Sequence, residues 1–384
     1  MIGPHVTLPD GARYRLRGGT RFPRPAGPPR SRIAYAAAHV VADPAGENVP
    51  GARAVLDWGA TLAFRRYLWA HGLGVAEAMD TAQRGMGLDY PATRELILRS
   101  AAEARSVGGR IVAGVATDQL PPGPASLAAV TDAYLAQLAD VVEAGAQPVL
   151  MCSRHLAAAA TSADDYLRVY GALLSAVDRP VVLHWLGPMF DPALSGYWGS
   201  ADLDTAADTV LALIAAHEST VDGIKVSLLD ADREVALRRR LPAGVRLYTG
   251  DDFNYPALIR GDASGHSDAL LGVFAAIAPA AAAALAALDR GDMGAYNRIL
   301  APTVPLARHM FAPPTYYYKT GIVFLAWLAG HQDHFTMIGG LQSGRSVAHL
   351  AALLRLADAA GLLPDAELAA SRARAYLTVA GVRQ

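Results

Sequence analysis

The segment VDGIKVSLLDAD (residues 221–232) places a lysine inside an apolar run rich in valine, isoleucine and leucine. Such a run predicts a buried β-strand, where a charged side chain is unfavourable. Of the 34 basic residues in the chain, only Lys225 and Lys319 are lysines, and the rest are arginines. Arginine does not deprotonate at ordinary pH, whereas a desolvated lysine can become a neutral nucleophile. Lys225 is therefore a candidate nucleophile; the alternative is a lysine at a strand end whose amine reaches solvent.

Eight apolar runs of this kind occur between residues 33 and 275, and segments with helical spacing separate them. Strands that alternate with helices are typical of a parallel sheet, and eight units in about 250 residues favour a closed (β/α)8 barrel, or TIM barrel, over an open sheet. The runs are IAYAAAHVV (33–41), GVAEAMDT (74–81), RIVAGVAT (110–117), QPVLMCS (147–153), PVVLHWLG (180–187), VDGIKVSL (221–228), VRLYTGDD (245–252) and HSDALLGVFA (266–275).

The segments that flank the barrel have different patterns. Residues 1–30 contain an alternating stretch around a turn signal, VTLPDGARYRL, and a proline-rich linker, so a hairpin should precede the barrel. We expect the barrel to span residues 31–285. Residues 286–384 have mainly helical spacing and predict a helical appendage at the C-terminus.

Composition excludes several classes of function. The formal net charge of −1 gives no electrostatic attraction to nucleic acid. A single cysteine rules out an intramolecular disulfide framework or a multi-cysteine zinc site, and it fits a cytoplasmic protein. Residues 269–288 carry no charge, but Pro279 interrupts them and alanine is weakly apolar. They predict a strand, a turn and a packing helix, and no membrane span.

Functional side chains of such a barrel belong at the carboxyl ends of the strands and in the loops that follow. There, burial would lower the pKa of Lys225 and favour its neutral amine. That amine could attack a carbonyl, and the protonated imine would stabilise an adjacent carbanion or enamine. Arg154 and His155 are candidates for proton transfer or for binding a carboxylate. Candidates for substrate binding are Tyr35, Thr81, His184, Asp251 and Asp252; one of the two aspartates could instead cap the helix near Tyr255.

Two motifs carry a resemblance to a known family. GIKVS in the sixth run, followed about 25 residues later by LYTGDD, resembles the dihydrodipicolinate synthase/N-acetylneuraminate lyase family, in a divergent subgroup known only as a domain of unknown function. The resemblance implies a class I, Schiff-base lyase on a TIM barrel, without a separate cofactor. Lys225 matches the lysine that forms the Schiff base. The segment YYYKTGIVFLAWLAG resembles the family's C-terminal helix, which implies a structural role for Lys319.

Two departures from the family pattern affect the helpers of Lys225. The second-strand loop reads DTAQRG, which keeps only Thr81 of the hydroxyl pair that binds carboxylate in the family. The motif with the family's catalytic tyrosine is replaced by CSRHL, so His155, Arg154 or a tyrosine from another strand, such as Tyr35, would carry protons. Asp252 matches a position that binds substrate hydroxyls in the sialate-lyase branch, which favours a sugar-acid-like substrate. The family also implies a homo-oligomer, a dimer or a tetramer.

The sequence therefore predicts a lyase, aldolase or hydro-lyase that acts on a keto acid or keto-sugar derivative through Lys225. Two alternatives stay open at this point. HQDHF could bind a divalent metal through His331, Asp333 and His334, as in a metal-dependent sugar enzyme, or otherwise form a lid or an oligomer contact. A barrel that binds a sugar without catalysis would also explain the altered motifs.

Overall fold

A computed structural model describes residues 4–384. The chain begins with an antiparallel hairpin of two strands, β1 (His5–Thr7) and β2 (Arg13–Arg15). Gly11 occupies the turn with a φ of 82°, a conformation that favours glycine. The predicted N-terminal hairpin is therefore confirmed.

Eight parallel strands form a closed barrel, which confirms the predicted fold. Each strand lies inside one of the eight predicted runs, and its neighbours along the chain are its neighbours in the barrel, with the last strand closing on the first. The strands are β3 (Ala34–Ala37), β4 (Gly74–Glu77), β5 (Ile111–Val115), β6 (Gln147–Leu150), β7 (Val181–Leu186), β8 (Val221–Ser227), β9 (Arg246–Thr249) and β10 (Asp268–Leu271).

The helices that follow the strands pack around the barrel. Several start at a side chain that accepts a hydrogen bond from a main-chain N–H, as Asp57, Ser126 and Asp202 do. The helices of this layer are α1 (Trp58–Ala70), α2 (Tyr90–Val107), α3 (Leu127–Ala144), α4 (Arg154–Ala159), α5 (Ala163–Ser175), α6 (Leu203–Ala216), α7 (Ala231–Arg238), α8 (Tyr255–Arg260), α9 (Val273–Ala276) and α10 (Ala278–Asp289). Short 3-10 helices span Asp80–Ala82, Pro192–Leu194, Tyr197–Gly199, Thr315–Tyr317 and Ile338–Ser343.

Five further helices form the C-terminal region, as the helical spacing predicted. They are α11 (Met293–Leu300), α12 (Thr303–Met310), α13 (Tyr318–Leu328), α14 (Val347–Ala359) and α15 (Ala366–Val379). One hydrophobic core joins these helices to the barrel and to the N-terminal hairpin. Every residue of α13 is buried, and α13 packs against α9, which directly follows β10. The start of α13 therefore reaches the carboxyl-terminal end of the barrel.

The interior of the barrel is filled by side chains from most of its strands, among them Tyr35, Val112, Val182, Tyr248 and Leu270. This core separates the amino-terminal end of the barrel from its carboxyl-terminal end. No helix within residues 4–384 is long and apolar enough to cross a membrane. The apolar stretch 269–288 instead divides between β10, α9 and α10.

Candidate active site

A cavity of about 770 Å³, here called the outer cavity, opens at the carboxyl ends of the strands. Residues after β4, β5, β6 and β7 form most of its wall, and the start of α13 completes it. The wall consists of Asp80, Arg84, Gly85, Met86, Ala116, Thr117, Asp118, Leu120, Pro122, Gly123, Pro124, Ala125, Met151, Cys152, Ser153, Arg154, His155, Ala158, Leu186, Phe190, Asp191, Ala193, Leu194, Tyr316, Tyr318 and Lys319.

A second, much smaller space surrounds Lys225, and we call it the inner pocket. It measures about 10 Å³, so only a small group fits there without rearrangement. Four side chains, those of Asp80, Leu186, Phe190 and Tyr318, line both spaces, so the inner pocket adjoins the outer cavity. The wall of the inner pocket consists of Ala37, Met79, Asp80, Thr81, Leu186, Phe190, Lys225, Ser227, Asp252, Gly272 and Tyr318.

Lys225 lies on β8 and faces the barrel interior, whereas its neighbours Ile224 and Val226 pack outward against helices. This alternation follows from the pleat of the strand. Gly250, just after β9, makes room for the lysine: a Cβ atom there would lie 2.9 Å from Lys225 Cε. Lys225 is only 6% exposed. Burial lowers the pKa of the Lys225 amine, and the carboxylates of Asp80 and Asp252 act in the opposite direction.

The two aspartates of the TGDD turn have different surroundings. Asp251 accepts hydrogen bonds from the main-chain N–H groups of Phe253 and Asn254, at 2.8 and 3.0 Å, and from the Asn254 side chain. It therefore organises the turn before α8 and lies outside both walls. Asp252 lines the inner pocket, where one of its oxygens accepts the Val273 N–H at 2.8 Å. Burial raises the pKa of the Asp252 carboxyl, while Lys225 opposes that shift.

A hydroxyl pair faces Lys225 across the inner pocket. The hydroxyls of Thr81 and Tyr318 are hydrogen-bonded at 2.8 Å, and the Tyr318 ring stacks on Phe311. Gly272 allows the close approach of this pair, because a Cβ atom there would lie 3.1 Å from Tyr318 Cε2 and 3.4 Å from Thr81 Oγ1. Burial, reinforced by Asp80, raises the pKa of the Tyr318 phenol well above its usual value, so the phenol keeps its proton.

Arg154 and His155 line the outer cavity but not the inner pocket. The Arg154 side chain is 55% exposed and forms an ion pair with Asp191 at 2.5 Å. Both ring nitrogens of His155 are engaged, one with the Thr117 hydroxyl and one with the Pro121 carbonyl, each at 3.1 Å. Neither residue lies in the wall of the inner pocket. Their placement therefore does not favour the predicted role of Arg154 or His155 in proton transfer to the reacting carbon.

Two predicted residues lie outside both spaces. His184 is buried beneath the inner pocket, and its Nε2 is 3.2 Å from the Ser227 hydroxyl. Burial, reinforced by Lys225, lowers the pKa of His184 well below its usual value, which keeps the ring neutral. Tyr35 sits deeper in the barrel, near the amino-terminal ends of the strands, where its ring centroid is 6.2 Å from that of Tyr248. Their placement outside both walls does not favour direct contact of Tyr35 or His184 with a substrate.

The residues of HQDHF do not converge on a metal site. His331 is packed against the rings of Phe64 and Tyr67, while the fully exposed side chain of Asp333 pairs with Arg372. His334 Nδ1 accepts the N–H of Thr336. Within the part of the chain that the structure describes, no group of three or more His, Cys, Asp or Glu residues could hold a metal ion. The metal hypothesis for this segment is therefore wrong.

Among the wall residues that were not predicted as site residues are Asp80, Tyr318 and Lys319. Asp80 was visible in DTAQRG next to Thr81, but its residue type alone gave no signal. Lys319 shared the rarity signal of Lys225, and the family resemblance assigned it a structural role. Tyr318 is adjacent to Lys319 in the sequence, so pursuing the second lysine would have found both.

The comparisons with known proteins agree with this fold. A dihydrodipicolinate synthase from Aquifex aeolicus matches with a TM-score of 0.66 at 14% identity, and the match covers 86% of this chain and 99% of the synthase chain. The same values describe a prophage protein of the dihydrodipicolinic acid synthase family from E. coli K12, YagE, solved in complex with pyruvate. A dihydrodipicolinate synthase from Thermotoga maritima matches with a TM-score of 0.64 at 15% identity, and the match covers 87% of this chain and 100% of the synthase chain. This chain therefore has the barrel fold of dihydrodipicolinate synthases.

The particular family follows from the sequence itself. The model of the family described as "protein of unknown function (DUF993)" matches residues 7–382, so the chain belongs to that family. The comparison with curated proteins gives no match. The predicted recognition, a divergent subgroup with the dihydrodipicolinate synthase fold, is confirmed.

Proposed function

We propose that this protein is a class I lyase, aldolase or hydro-lyase that forms a Schiff base between Lys225 and a keto acid or keto-sugar derivative. The observation that carries the proposal is a buried amine with a lowered pKa at the carboxyl end of a barrel strand. Burial favours the neutral amine, which is the form that attacks a carbonyl. The inner pocket measures about 10 Å³, so the side chains around the amine must move to admit the carbonyl end of a substrate, while the rest of the substrate would occupy the outer cavity.

The first half of the reaction needs proton transfers at defined atoms. The Lys225 nitrogen attacks the carbonyl carbon, and the carbonyl oxygen takes up protons and leaves as water while the C=N bond forms. We assign this proton donation to the Tyr318 hydroxyl, because it lies in the wall of the inner pocket and its hydrogen bond to Thr81 orients it. Tyr318 would then do the work of the family's tyrosine, which this sequence lacks at the usual position.

The second half uses the iminium as an electron sink. When a proton or an electrophilic carbon fragment departs from the carbon next to the iminium, the bonding electrons flow to the iminium and an enamine forms. In dehydration that enamine then expels the leaving group, which departs with its electron pair and is protonated to water. Asp80 and Asp252 are the carboxylates that line the inner pocket, so we assign proton acceptance to one of them. Thr81 would also bind the carboxylate next to the carbonyl, as the family resemblance implied. Arg154 and His155 would contact the distal part of the substrate in the outer cavity.

Reductive trapping with borohydride tests the proposal. Pyruvate is the first probe, because a solved structure of similar fold contains it, and 2-oxobutyrate and 2-oxopentanoate follow. The chain has only two lysines, so peptide mapping assigns the added mass with little ambiguity. We expect the reduced adduct at Lys225, and we expect Lys319→Arg to retain it. An adduct confined to Lys319, or keto ligands that bind with no adduct, would contradict the proposal; the latter would support the non-catalytic barrel.

A further inference from the structure

Lys319 is the second lysine of the chain, and it too lies in the wall of the outer cavity. It is the second residue of α13 and is 2% exposed. Its only hydrogen bond within the described residues is to the Met86 thioether, with Nζ 3.3 Å from Sδ. The Tyr318 ring lies beside it, with Nζ 5.4 Å from the ring centroid. A thioether is a weak acceptor, so the donor capacity of this ammonium is largely unused.

The other two cations of the same wall have carboxylate partners. Arg84 forms an ion pair with Asp118 at 2.7 Å, and Arg154 pairs with Asp191. Within residues 4–384, no carboxylate oxygen lies within 4.0 Å of the Lys319 nitrogen. The Asp80 carboxylate is near enough to raise the pKa of Lys319 through its charge, but it forms no ion pair with Lys319. Lys319 is therefore the cation of this cavity that lacks an ion-pair partner among the described residues.

An unpaired buried cation is unfavourable for folding, because desolvation is not offset by a counter-ion. A methionine or leucine would fill the same space without that penalty. The position of the amine on a cavity wall suggests that the missing counter-ion comes from a ligand. The surrounding wall is largely apolar, with Met86, Leu120, Phe190 and Tyr316 among its members, so a bound anion would interact with the ammonium in a low-dielectric environment.

We propose that the Lys319 ammonium binds a carboxylate or phosphate group of the substrate in the outer cavity, while Lys225 holds the carbonyl carbon in the inner pocket. The substrate class is then a keto compound with a second, distal anionic group and an apolar middle. This inference rests on the proposed function only for the carbonyl end. The anion-binding part can be tested without any covalent chemistry.

The test compares straight-chain 2-oxo diacids with the 2-oxo monoacids of equal chain length: 2-oxoglutarate with 2-oxopentanoate, 2-oxoadipate with 2-oxohexanoate, and 2-oxopimelate with 2-oxoheptanoate. The readout is the half-saturating concentration for borohydride trapping at Lys225. For at least one pair, we expect the wild-type protein to be half-saturated by the diacid at a concentration about tenfold lower than by the monoacid. A hydrogen bond to a charged group discriminates by that amount. Inorganic phosphate and malonate, tested separately as competitors, distinguish a phosphate from a carboxylate ligand.

Two variants make the test specific to the charge. Lys319→Met, which has a side chain of similar length without the charge, should reduce the ratio between monoacid and diacid to about one. Lys319→Arg should keep the preference. Burial lowers the pKa of Lys319 to about 8, so the wild-type preference should weaken as the pH rises from 7 to 9.5. In Lys319→Arg it should persist, because arginine stays protonated.

The outcomes separate the two proposals. If no variant or substrate gives a trapped adduct, the function proposed for Lys225 fails, and calorimetric binding of the diacids to wild-type and Lys319→Met proteins still measures the anion site. If the wild-type protein shows no preference for any diacid and no competition by phosphate, or if Lys319→Met keeps the preference, the assignment of Lys319 is overturned. Should Lys319→Met fail to fold, the contrast in pH dependence between wild type and Lys319→Arg decides.

Discussion

At the amino-terminal end of the barrel strands, several polar side chains bond to one another. The Tyr248 hydroxyl donates to Asp222 at 2.6 Å, and Arg246 forms ion pairs with Asp268 and, at 3.8 Å, with Asp222. Gly74 leaves space for the Tyr35 ring, since a Cβ atom there would lie 2.4 Å from Tyr35 Cδ1. Tyr248, Asp222, Arg246 and Asp268 therefore each have a hydrogen-bond or ion-pair partner within the fold.

At the carboxyl-terminal end the groups around Lys225 are less completely paired. Neither lysine of the chain has a carboxylate within 4.0 Å among the described residues, and the Asp252 carboxyl is bonded only to a main-chain N–H. Burial without a partner shifts pKa values and costs stability, and both effects are typical of sites that bind and transform a ligand. In TIM barrels the carboxyl-terminal face carries function and the opposite face carries stability. Substitutions at the carboxyl-terminal end should therefore lower activity with little loss of stability, whereas substitutions at the amino-terminal end should lower stability with little loss of activity.

The largest expected effect is that of Lys225→Met. Methionine has a similar length but no amine, so the borohydride adduct should be lost entirely and catalysis should fall by several orders of magnitude. The free energy of unfolding should stay the same or rise by about 1 kcal/mol, because a buried polar amine without an ion-pair partner is replaced by an apolar side chain. Urea denaturation and adduct mapping measure both quantities, with Lys319→Met as the matched lysine control. If Lys225→Met strongly lowered the free energy of unfolding and the borohydride adduct still formed, the distinction between the two ends of the barrel would be wrong.

The next effect is that of Tyr318→Phe, which removes the hydroxyl from the inner pocket and leaves the ring stacked on Phe311. Proton transfer should slow by about 100-fold or more, which is the usual contribution of a positioned general acid. The measurement is the exchange of the pyruvate methyl hydrogens with deuterium oxide, followed by NMR, because that exchange requires imine formation and proton removal. The loss of the hydrogen bond to Thr81 should cost only about 1 kcal/mol of stability.

Tyr316→Phe is the matched control for this prediction. Tyr316 also lines the outer cavity, but its hydroxyl forms no hydrogen bond within the described part of the chain. The rate at which Tyr316→Phe exchanges the pyruvate methyl hydrogens should therefore stay within about twofold of wild type. Equal rates for Tyr318→Phe and wild type would return the proton-transfer role to His155 or Arg154.

The barrel could be predicted from the sequence because its signal is local. Each strand is an apolar run, and the order of runs and helices defines the topology without information about distant contacts. The same holds for Lys225, whose position within a run fixes both its depth and the end of the barrel it occupies. The uncertainty over the two TGDD aspartates was also local, and it is resolved by the hydrogen bonds of Asp251 to the following turn.

The rest of the candidate site depends on tertiary packing. Tyr318 and Lys319 follow Lys225 by more than 90 residues and reach the site only because α13 packs over the end of the barrel. No periodicity in their own segment indicates that contact. His155 follows a strand, as a site residue should, but its partners Thr117 and Pro121 come from the loop after a different strand. Residue type and strand-end position are thus insufficient where a neighbouring loop occupies the side chain.

The smallest expected effect on activity, and the opposite pattern, belongs to Tyr248→Phe at the amino-terminal end. Removing a hydroxyl that donates to the Asp222 carboxylate should lower the free energy of unfolding by about 1–2 kcal/mol. Adduct formation at Lys225 should stay within about twofold of wild type, since the Tyr248 hydroxyl bonds to Asp222 at the start of β8 and Tyr248 lines neither the inner pocket nor the outer cavity. Urea denaturation and trapping rates are again the measurements.

Tyr35→Phe sharpens this last comparison, because the Tyr35 hydroxyl has no hydrogen-bond partner within residues 4–384. Its removal should leave stability within about 0.5 kcal/mol of wild type and should not change trapping. A raised half-saturating concentration of pyruvate in Tyr35→Phe would instead restore the substrate-binding role that the sequence predicted for Tyr35. Such a result would also mean that substrate reaches deeper into the barrel than the inner pocket, and that the two ends are not functionally separate.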